Sequence, residues 1–316
     1  MKKMIYPVLA TLSFILFSCS MNNNEKSSGI YILDWYAEAV YVMDTTLSAS
    51  TDPLLLTGDG PSDIAVDDNA IFISNSGYGG DATVQKFSLS GDLLVEKKTG
   101  EMTSPGYIEI DDEYIYTSLW LDNSVAVMEK ESLNTVKTIS GLSAPQEIVK
   151  HGDCLYIGSN NISAAGSIYE VKIDGFEISS IEVGSNPSFL DISEDGVIFV
   201  SCCGDYNSIY GSIVRISDNQ VTHKTDFNSF LGKIKCIDEF VIVLDAMNTA
   251  YVLSKEDLSV IDTIDISSLS DVELMNDKVI FSTNVGKMYV ADKSSLTDVT
   301  EVLPEYGFKT SEMYVK

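Results

Sequence analysis

Short runs in which apolar and polar residues alternate recur along the chain in one arrangement. Each clear copy begins with a proline, passes through an Ile- or Leu-containing run and a polar turn, and ends in an aromatic or aliphatic run. The clear copies are Pro61–Ile73, Pro105–Thr117, Pro145–Ile157 and Pro187–Val200, which begin 40 to 44 residues apart. Weaker copies begin near Gly232 and Ser270, and a truncated one, Ser311–Val315, ends the sequence. A period near forty residues with four short strands per repeat is typical of a β-propeller blade.

Alternation with a period of two divides each repeat into an inner strand A, then strands B and C, and an outer strand D. The second repeat is the clearest example. Its predicted strands are Ser62–Asp67 (A), Ile71–Asn75 (B), Thr83–Ser88 (C) and Leu93–Lys97 (D). Five further repeats begin strand A at Gly106, Gln146, Ser188, Gly232 and Asp271.

The first repeat lacks an inner strand. Its predicted strands are Ile30–Asp34 (B), Ala39–Asp44 (C) and Leu54–Thr57 (D). We predict that Glu312–Val315, at the far end of the chain, supplies the missing strand A and leaves no open sheet edge in the ring. The predicted fold is therefore an all-β, seven-bladed β-propeller with four-stranded blades, spanning residues 29–316 as one domain.

Residues 1–28 have a different composition. Lys2 and Lys3 precede a largely apolar stretch, Val8–Phe17, that is too short to span a bilayer comfortably. Leu16-Phe17-Ser18-Cys19 resembles the lipobox of bacterial lipoprotein precursors. The resemblance implies a signal peptide over residues 1–18, acylation of Cys19 with fatty acids such as palmitate, and a lipidated tether over residues 19–28. The alternative is an ordinary secretory signal that happens to contain a cysteine.

Either reading of this segment predicts that the protein leaves the cytoplasm. The lipobox further implies a membrane-anchored lipoprotein, located at the outer membrane or the cell surface. The formal net charge of −27 is consistent with a soluble, surface-exposed domain. With Arg215 as the single arginine, the chain has no basic stripe for nucleic acid, so nucleic acid is excluded as a partner.

The repeats resemble those of the YVTN/YncE-type seven-bladed propellers. The segments that carry the resemblance are Gly60-Pro61-Ser62-Asp63-Ile64-Ala65-Val66-Asp67 and Ile71-Phe72-Ile73-Ser74-Asn75, and it extends over roughly Gly29 to Lys316. Lipidated proteins of this type include cobalamin-binding surface propellers of Bacteroidetes, which act above an outer-membrane transporter. The repeated residues are packing and turn positions, so the resemblance concerns the fold and does not identify a ligand. The sixth and seventh repeats lack the proline.

The B–C and D–A loops of such a fold share one face, around the mouth of the central channel, and these loops are the longer and more aromatic ones. The residue after strand B gives one equivalent position per repeat, and the only two tryptophans both occupy it. The equivalent residues are Trp35, Ser76, Trp120, Asn160, Cys203, Ala246 and Asn284. Aromatic rings interleaved with polar side chains can stack on a ligand and hydrogen-bond its edges. The predicted ligand-binding residues are Asp34, Trp35, Tyr36, Tyr78, Trp120, Asp122, Asn160 and Tyr206.

Three other interpretations stay open at this stage. The tryptophans could instead wedge between blades as packing residues. Cys202 and Cys203 are either a ligand-contacting vicinal disulfide or two reduced thiols, one packed and one exposed. Asp59 and Asp63, with Gly60 in the turn between them, are candidate ligands for a structural calcium ion, although their spacing matches no calcium-loop motif.

Catalytic residues are not expected. His151 is predicted to lie in an A–B hairpin on the opposite face and His223 in an outer strand D, so neither can act as the general base of a central site. The sequence therefore predicts a binding protein, not an enzyme, and implies no cofactor. We expect it to capture a small molecule or a glycan for an outer-membrane transporter. The alternative is a protein–protein scaffold or adhesion lipoprotein that uses the same face.

Overall fold

Each repeat forms one four-stranded antiparallel sheet in the computed structural model, which describes residues 29–77, 80–160, 166–246, 248–303 and 310–316. The side chains of Thr297 and Leu303 are also outside this description. The inner strands of successive sheets contact one another in a closed ring. The all-β, seven-bladed propeller predicted from the repeats is thereby confirmed. None of the described residues belongs to a helix able to cross a membrane.

The strands are numbered β1 to β28 along the chain. Blade 1 contains β1 (Gly29–Asp34), β2 (Ala39–Asp44), β3 (Leu55–Leu56) and β28 (Thr310–Val315). Blade 2 contains β4 (Pro61–Val66), β5 (Ala70–Asn75), β6 (Thr83–Ser88) and β7 (Leu93–Lys98). Blade 3 contains β8 (Pro105–Ile110), β9 (Tyr114–Leu119), β10 (Ser124–Glu129) and β11 (Thr135–Ser140).

The later blades keep the same order. Blade 4 contains β12 (Pro145–His151), β13 (Cys154–Ser159), β14 (Gly166–Lys172) and β15 (Ile178–Gly184). Blade 5 contains β16 (Pro187–Ile192), β17 (Ile198–Cys202), β18 (Ser212–Ser217) and β19 (Gln220–Asp226). Blade 6 contains β20 (Leu231–Ile237), β21 (Phe240–Asp245), β22 (Thr249–Ser254) and β23 (Val260–Asp265). Blade 7 contains β24 (Leu269–Met275), β25 (Lys278–Thr283), β26 (Met288–Asp292) and β27 (Ser295–Leu303).

The tight A–B hairpins are formed by aspartates that accept hydrogen bonds from the turn itself. In blade 2, Oδ1 of Asp67 accepts from the backbone N–H groups of Asn69 and Ala70, each at 2.7 Å. In blade 3, Oδ1 of Asp111 accepts from the N–H of Tyr114 at 2.8 Å. An aspartate that bonds the backbone two or three residues on stabilises a turn. These polar turns are therefore structural, as their shortness in the sequence indicated.

Each inner strand turns two kinds of side chain in opposite directions. In blades 2 to 7 the register of strand A shifts just after its first residue, as at Pro61/Asp63 and Pro105/Ile108. After this irregularity, the third residue of each strand A faces the channel, and so does the fifth except in blade 2, where Ala65 packs in the core. The fourth residue is buried in the core. The fourth residues are Ile64, Ile108, Ile148, Leu190, Ile234, Val272 and Met313. The side-chain period of two thus separates a channel lining from a hydrophobic layer.

The core lies between neighbouring blades. One cluster joins Ala65 and Phe72 of blade 2 to Ile115 and Met128 of blade 3. Phe72 and Ile115 are fully buried. Because each blade covers one face of the next, no blade can bury its apolar residues alone, and the ring must close to complete the core.

The chain ends close the ring as the sequence predicted. Strand β28 pairs antiparallel with β1, with Ile32 opposite Met313 and Tyr31 opposite Tyr314. The backbone N–H of Lys316 donates to the carbonyl of Gly29 at 3.0 Å. The strand begins at Thr310, two residues before the predicted start, and ends at the predicted residue.

Candidate functional site

The residue after strand B is held in the same way around the ring, which confirms the repeat alignment made from the sequence. In blades 2 to 7 its N–H donates to the carbonyl of the residue just before strand A. For example, Trp120 donates to Ser104 at 3.2 Å and Asn160 donates to Ala144 at 2.8 Å. Ser104 and Ala144 have φ of 49° and 42°, and this left-handed conformation turns their carbonyls toward the B–C loop. The B–C and D–A loops are therefore joined on one face.

Trp35, Trp120 and Asn160 line one depression of about 340 Å³ on this face. The two rings come from blades 1 and 3, and the start of strand A of blade 2, at Pro61 and Ser62, lies between them. Trp35 is 41% exposed and Trp120 is 40% exposed. Rings that expose this much of their surface are not buried wedges between blades. The structure brings three of the residues singled out in the sequence together around one cavity.

The position of Trp35 is set by its neighbours in the chain. Oδ1 of Asp34 accepts hydrogen bonds from the N–H groups of Tyr36 and Ala37, at 2.8 and 2.9 Å, and so shapes the turn that carries Trp35. The Tyr36 ring meets the Trp35 ring edge to face, with centroids 5.0 Å apart and an interplanar angle of 88°. Asp34 itself is 1% exposed. It is placed to position the tryptophan rather than to touch a ligand.

A second depression, of about 510 Å³, shares Trp35 with the first. It is lined by Trp35, Tyr36, Ser270, Asn284, Val285, Thr310 and Ser311. Ser311 lines the first depression as well, so the two cavities adjoin at Trp35 and Ser311. Tyr36, which is 68% exposed, belongs to this second cavity. The sequence analysis missed Ser270 and Thr310, because serine and threonine at strand ends carry no signal of their own.

A third depression, of about 750 Å³, lies beyond Trp120 between blades 2 and 3. Its lining includes Glu101 and the ion pair between Lys98 and Asp81, whose atoms are 2.5 Å apart. Both members of that pair are about two-thirds exposed, so they are solvated surface charges. The predicted ligand-binding residue Tyr78 lies outside the described residues.

The remaining predicted site residues lie elsewhere. Asp122 is exposed in the turn after β9, where its Oδ2 accepts from the Ser124 hydroxyl at 2.6 Å, and it lines neither cavity beside Trp35. Tyr206 is 55% exposed in blade 5 and packs near Phe230, with ring centroids 5.6 Å apart. It therefore belongs to a separate aromatic group and not to the tryptophan cavity. The lipidation candidate Cys19 lies outside the described residues.

Cys202 and Cys203 are free thiols, and both are buried. The expectation that one thiol of a reduced pair would be exposed is wrong, because Cys203 lies under the Tyr206 loop at the end of strand B. Burial raises the pKa of Cys202 to about 12 and that of Cys203 to about 11. Both groups are therefore neutral near pH 7 and are poor metal ligands or nucleophiles.

The channel below the mouth is filled by charged side chains from the inner strands. Lys233 of blade 6 pairs with Glu312 and, at 3.3 Å, with Glu147. Its ammonium also lies 5.0 Å from the ring centroid of Tyr107 and 5.2 Å from that of Phe189. These residues all hold the third position of their strand A, so one level of the ring converges on a single lysine. At this level the channel narrows to a cavity of about 200 Å³, which Lys233, Glu147 and Glu312 help to line.

Carboxylates at the same level link neighbouring blades. Oδ2 of Asp63 accepts from the N–H of Ile108 in the next blade at 2.7 Å, and Oδ2 of Asp271 accepts from that of Met313 at 2.7 Å. Burial raises the pKa of Asp63 to about 6 and that of Asp271 to about 7, with Lys233 opposing the rise in both. These aspartates therefore have a structural role between blades.

The positions of Asp63 and of the two histidines test the predictions of a calcium site and of histidines remote from the central site. Asp63 points into the channel and bonds Ile64 and Ile108, so it is not available to share a cation with Asp59. Among the described residues, no three His, Cys, Asp or Glu side chains are arranged to hold a metal ion. His151 ends β12 at an A–B hairpin, and His223 lies in the outer strand β19, where the sequence placed them.

Comparison with known proteins extends the fold assignment. No protein-family model and no curated protein matches the sequence. Among solved structures, a putative 6-phosphogluconolactonase from Bacteroides fragilis NCTC 9343 is similar with a TM-score of 0.71 at 12% identity, covering 93% of this chain and 99% of that one. A streptogramin B lyase is similar with a TM-score of 0.66 at 12% identity, covering 92% and 100%. A catalytically inactive virginiamycin B lyase from Staphylococcus aureus, solved with quinupristin, is similar with a TM-score of 0.59 at 15% identity, covering 76% and 83%.

These structural neighbours include propeller enzymes, but identities this low establish the fold alone. The chain is a seven-bladed β-propeller, a fold that suits a binding or a scaffold role.

Proposed function

We propose that this protein is a lipid-anchored, extracytoplasmic binding protein that captures a small molecule or a glycan on its B–C/D–A loop face. The observation that carries the proposal is the cavity between Trp35 and Trp120, in which two half-exposed rings meet amide and hydroxyl groups. Large apolar rings are costly to leave in water unless a partner covers them. Its volume, about 340 Å³, lies in the range of small-molecule sites.

The lipid anchor and a transporter partner are part of the same proposal. They rest on the resemblance of Leu16–Cys19 to a lipobox and on the resemblance of the repeats to surface propellers that act above an outer-membrane transporter. In that arrangement the propeller would hold its ligand outside the membrane and pass it on.

The scaffold alternative has one observation in its favour. Side chains that converge on Lys233 narrow the channel to about 200 Å³, and a narrowed channel suits a propeller that presents a surface to a protein partner. The mouth of the channel is not flat, however, because Trp35 and Trp120 line a depression there. We therefore favour capture of a small ligand over protein docking.

The ligand can be sought directly. Native mass spectrometry of the protein purified from its own host should detect a retained molecule with a mass below that of a protein. Co-purification of a protein partner, with no small ligand after the partner is removed, would favour the scaffold instead.

Substitution of the tryptophans tests the site. Trp35→Ala and Trp120→Ala should each weaken ligand binding about tenfold, equivalent to ~1.4 kcal/mol, because each ring loses its stacking contact. Their melting temperatures should stay close to that of the parent, since the rings are 41% and 40% exposed. Calorimetric titration with the retained ligand measures the first effect and thermal unfolding the second. Variants that melt much earlier but bind normally would show that the rings are packing residues.

The anchor is tested by Cys19→Ala. The variant should move from the membrane fraction to the soluble fraction of the cell envelope, because an acidic propeller with a polar tether has no other affinity for a bilayer. Immunoblotting of fractions measures the distribution, and Cys154→Ala serves as the control substitution of a free cysteine. Retention of a processed Cys19→Ala protein on the membrane would identify a protein partner as the anchor.

A further inference from the structure

We infer that the two cavities that share Trp35 are adjoining subsites for a neutral oligosaccharide, with one sugar unit in each cavity. The inference rests on the proposed binding function and adds the chemical class of the ligand. It concerns the cavity between Trp35 and Trp120, here called the first subsite, and the cavity beside Tyr36 and Asn284, the second subsite.

The described lining of both subsites is uncharged, in a protein that is otherwise strongly acidic. The chain carries a net charge of −27 and 21% charged residues, yet none of the described residues that line either subsite is charged. A buried ionic ligand group needs an opposite charge or a dense set of hydrogen bonds, and these described residues supply neither a cation nor a carboxylate. The field of the whole protein also opposes an anion. The lining therefore selects a neutral ligand.

The polar groups of the lining suit hydroxyl-rich ligands. Gln146 and Asn160 are among the residues that line the first subsite, and Asn284 and Ser270 are among those that line the second. Amides and hydroxyls both donate and accept hydrogen bonds, as sugar hydroxyls do. The tryptophan rings add flat apolar surfaces for the C–H face of a sugar ring.

One buried hydroxyl in the second subsite lacks a partner. Thr310 is 2% exposed, and its Oγ1 has no hydrogen bond to any part of the chain that the structure describes. A buried hydroxyl left unbonded costs free energy, and a ligand hydroxyl reaching it would remove that cost. Thr310 lines the second subsite, so the unmet hydrogen bond points to a polar ligand there.

The two subsites are distinct cavities that share only Trp35 and Ser311, and this favours a chain over a single flat molecule. The edge-to-face contact with Tyr36 together with the Asp34 turn fixes the tryptophan in place. A broad planar macrocycle would need one continuous surface. Sugar units joined by a narrow glycosidic linkage can instead place one unit in each cavity.

Intrinsic fluorescence reports this site without a label, because Trp35 and Trp120 are the only tryptophans in the chain. The full-length protein would be titrated with neutral glucose, mannose, xylose and galactose oligomers of one to six units. Oligogalacturonates serve as charged sugars and cyanocobalamin as a flat macrocycle, with calorimetry as a second readout free of optical interference. We expect at least one neutral series to change the emission, with affinity rising at least tenfold from one unit to three.

Variants assign the two subsites. Asn284→Ala should remove most of the increase in affinity from one sugar unit to three. Its affinity for the single sugar unit should stay within about twofold of that of the parent. Gln146→Ala should weaken binding of the single sugar unit at least fivefold. Tyr210→Ala is the matched control, because this ring is 51% exposed but lines neither subsite, and its variant should bind as the parent does.

The results separate this inference from the proposed function. Tighter binding of oligogalacturonate or of cyanocobalamin than of every neutral series would overturn the inference and leave the proposed binding function intact. The same holds if a non-carbohydrate molecule is found retained on the protein from its host. A neutral series that binds with no dependence on chain length, or with no effect of Asn284→Ala, would overturn the two-subsite arrangement. Absence of any small-molecule ligand, by titration and by native mass spectrometry, would overturn the proposed function as well.

Discussion

A chain that lacks residues Glu312–Lys316 is expected to lose much of its stability, because it loses the inner strand of blade 1. Strand β28 pairs with β1 along its length, and Glu312 is a partner of Lys233 in the channel. Met313 bonds Asp271 of blade 7 through its backbone N–H at 2.7 Å and packs in the core. Each lost hydrogen bond lowers the free energy of unfolding by about 1 kcal/mol net, so the deletion should lower it by several kcal/mol. The newly exposed strand edges would lower it further.

The measurement is the midpoint of thermal and urea unfolding, followed by circular dichroism. Removal of Lys316 alone is the control, since it leaves β28 in place, and it should shift the midpoint only slightly. A midpoint unchanged by the five-residue deletion would contradict closure of the ring by this strand.

Lys233→Met should destabilise the protein by about 3–5 kcal/mol at pH 8, because it leaves buried carboxylates without their cation. Burial alone would lower the pKa of Lys233, but the carboxylates of Glu312 and Glu147 hold it well above its ordinary value. The lysine is therefore charged, and it is shared by several acids at one level of the channel. The expected fall in melting temperature is more than about 6 °C.

The destabilisation caused by Lys233→Met should be smaller at pH 5 than at pH 8. Asp63 and Asp271 have folded-state pKa values of about 6 and about 7, raised by burial above the ordinary value of 3.8. Between about pH 4 and 7 the folded protein therefore holds protons that the unfolded chain releases, so stability falls as the pH rises. Lys233 lowers both pKa values, and its removal raises them further and widens this window.

Thermal unfolding of the parent and of Lys233→Met at pH 5 and pH 8 tests both the destabilisation by the substitution and its dependence on pH. The parent itself should melt at a lower temperature at pH 8 than at pH 5. Lys98→Met is the control: its ion pair with Asp81 is about two-thirds exposed, so the variant should melt at nearly the same temperature as the parent at either pH. A Lys233→Met protein as stable as the parent at pH 8 would mean that the channel acids are neutral without the lysine.

The candidate site was only partly visible in the sequence. The shared repeat position of Trp35 and Trp120 was enough to predict their place on one face, because a residue at a given repeat position has the same surroundings in every blade. Asp34 shows the limit of that reasoning. It looked like a ligand-binding residue beside Trp35, but its carboxylate is turned into the B–C loop and bonds Tyr36 and Ala37.

The sequence by itself determined the number of blades, the order of their strands and the closure of the ring. These follow from local patterns, since alternation with a period of two defines strands and a period near forty defines blades. Only the tertiary structure decided what the inner strands do together. Lys233, Glu147 and Glu312 come from three blades, and their convergence depends on the curvature of the ring and on the irregularity at the start of most inner strands. For the same reason, the two cavities that share Trp35 and Ser311 could not be predicted, because they lie between loops that are far apart in the chain and adjacent only in the closed ring.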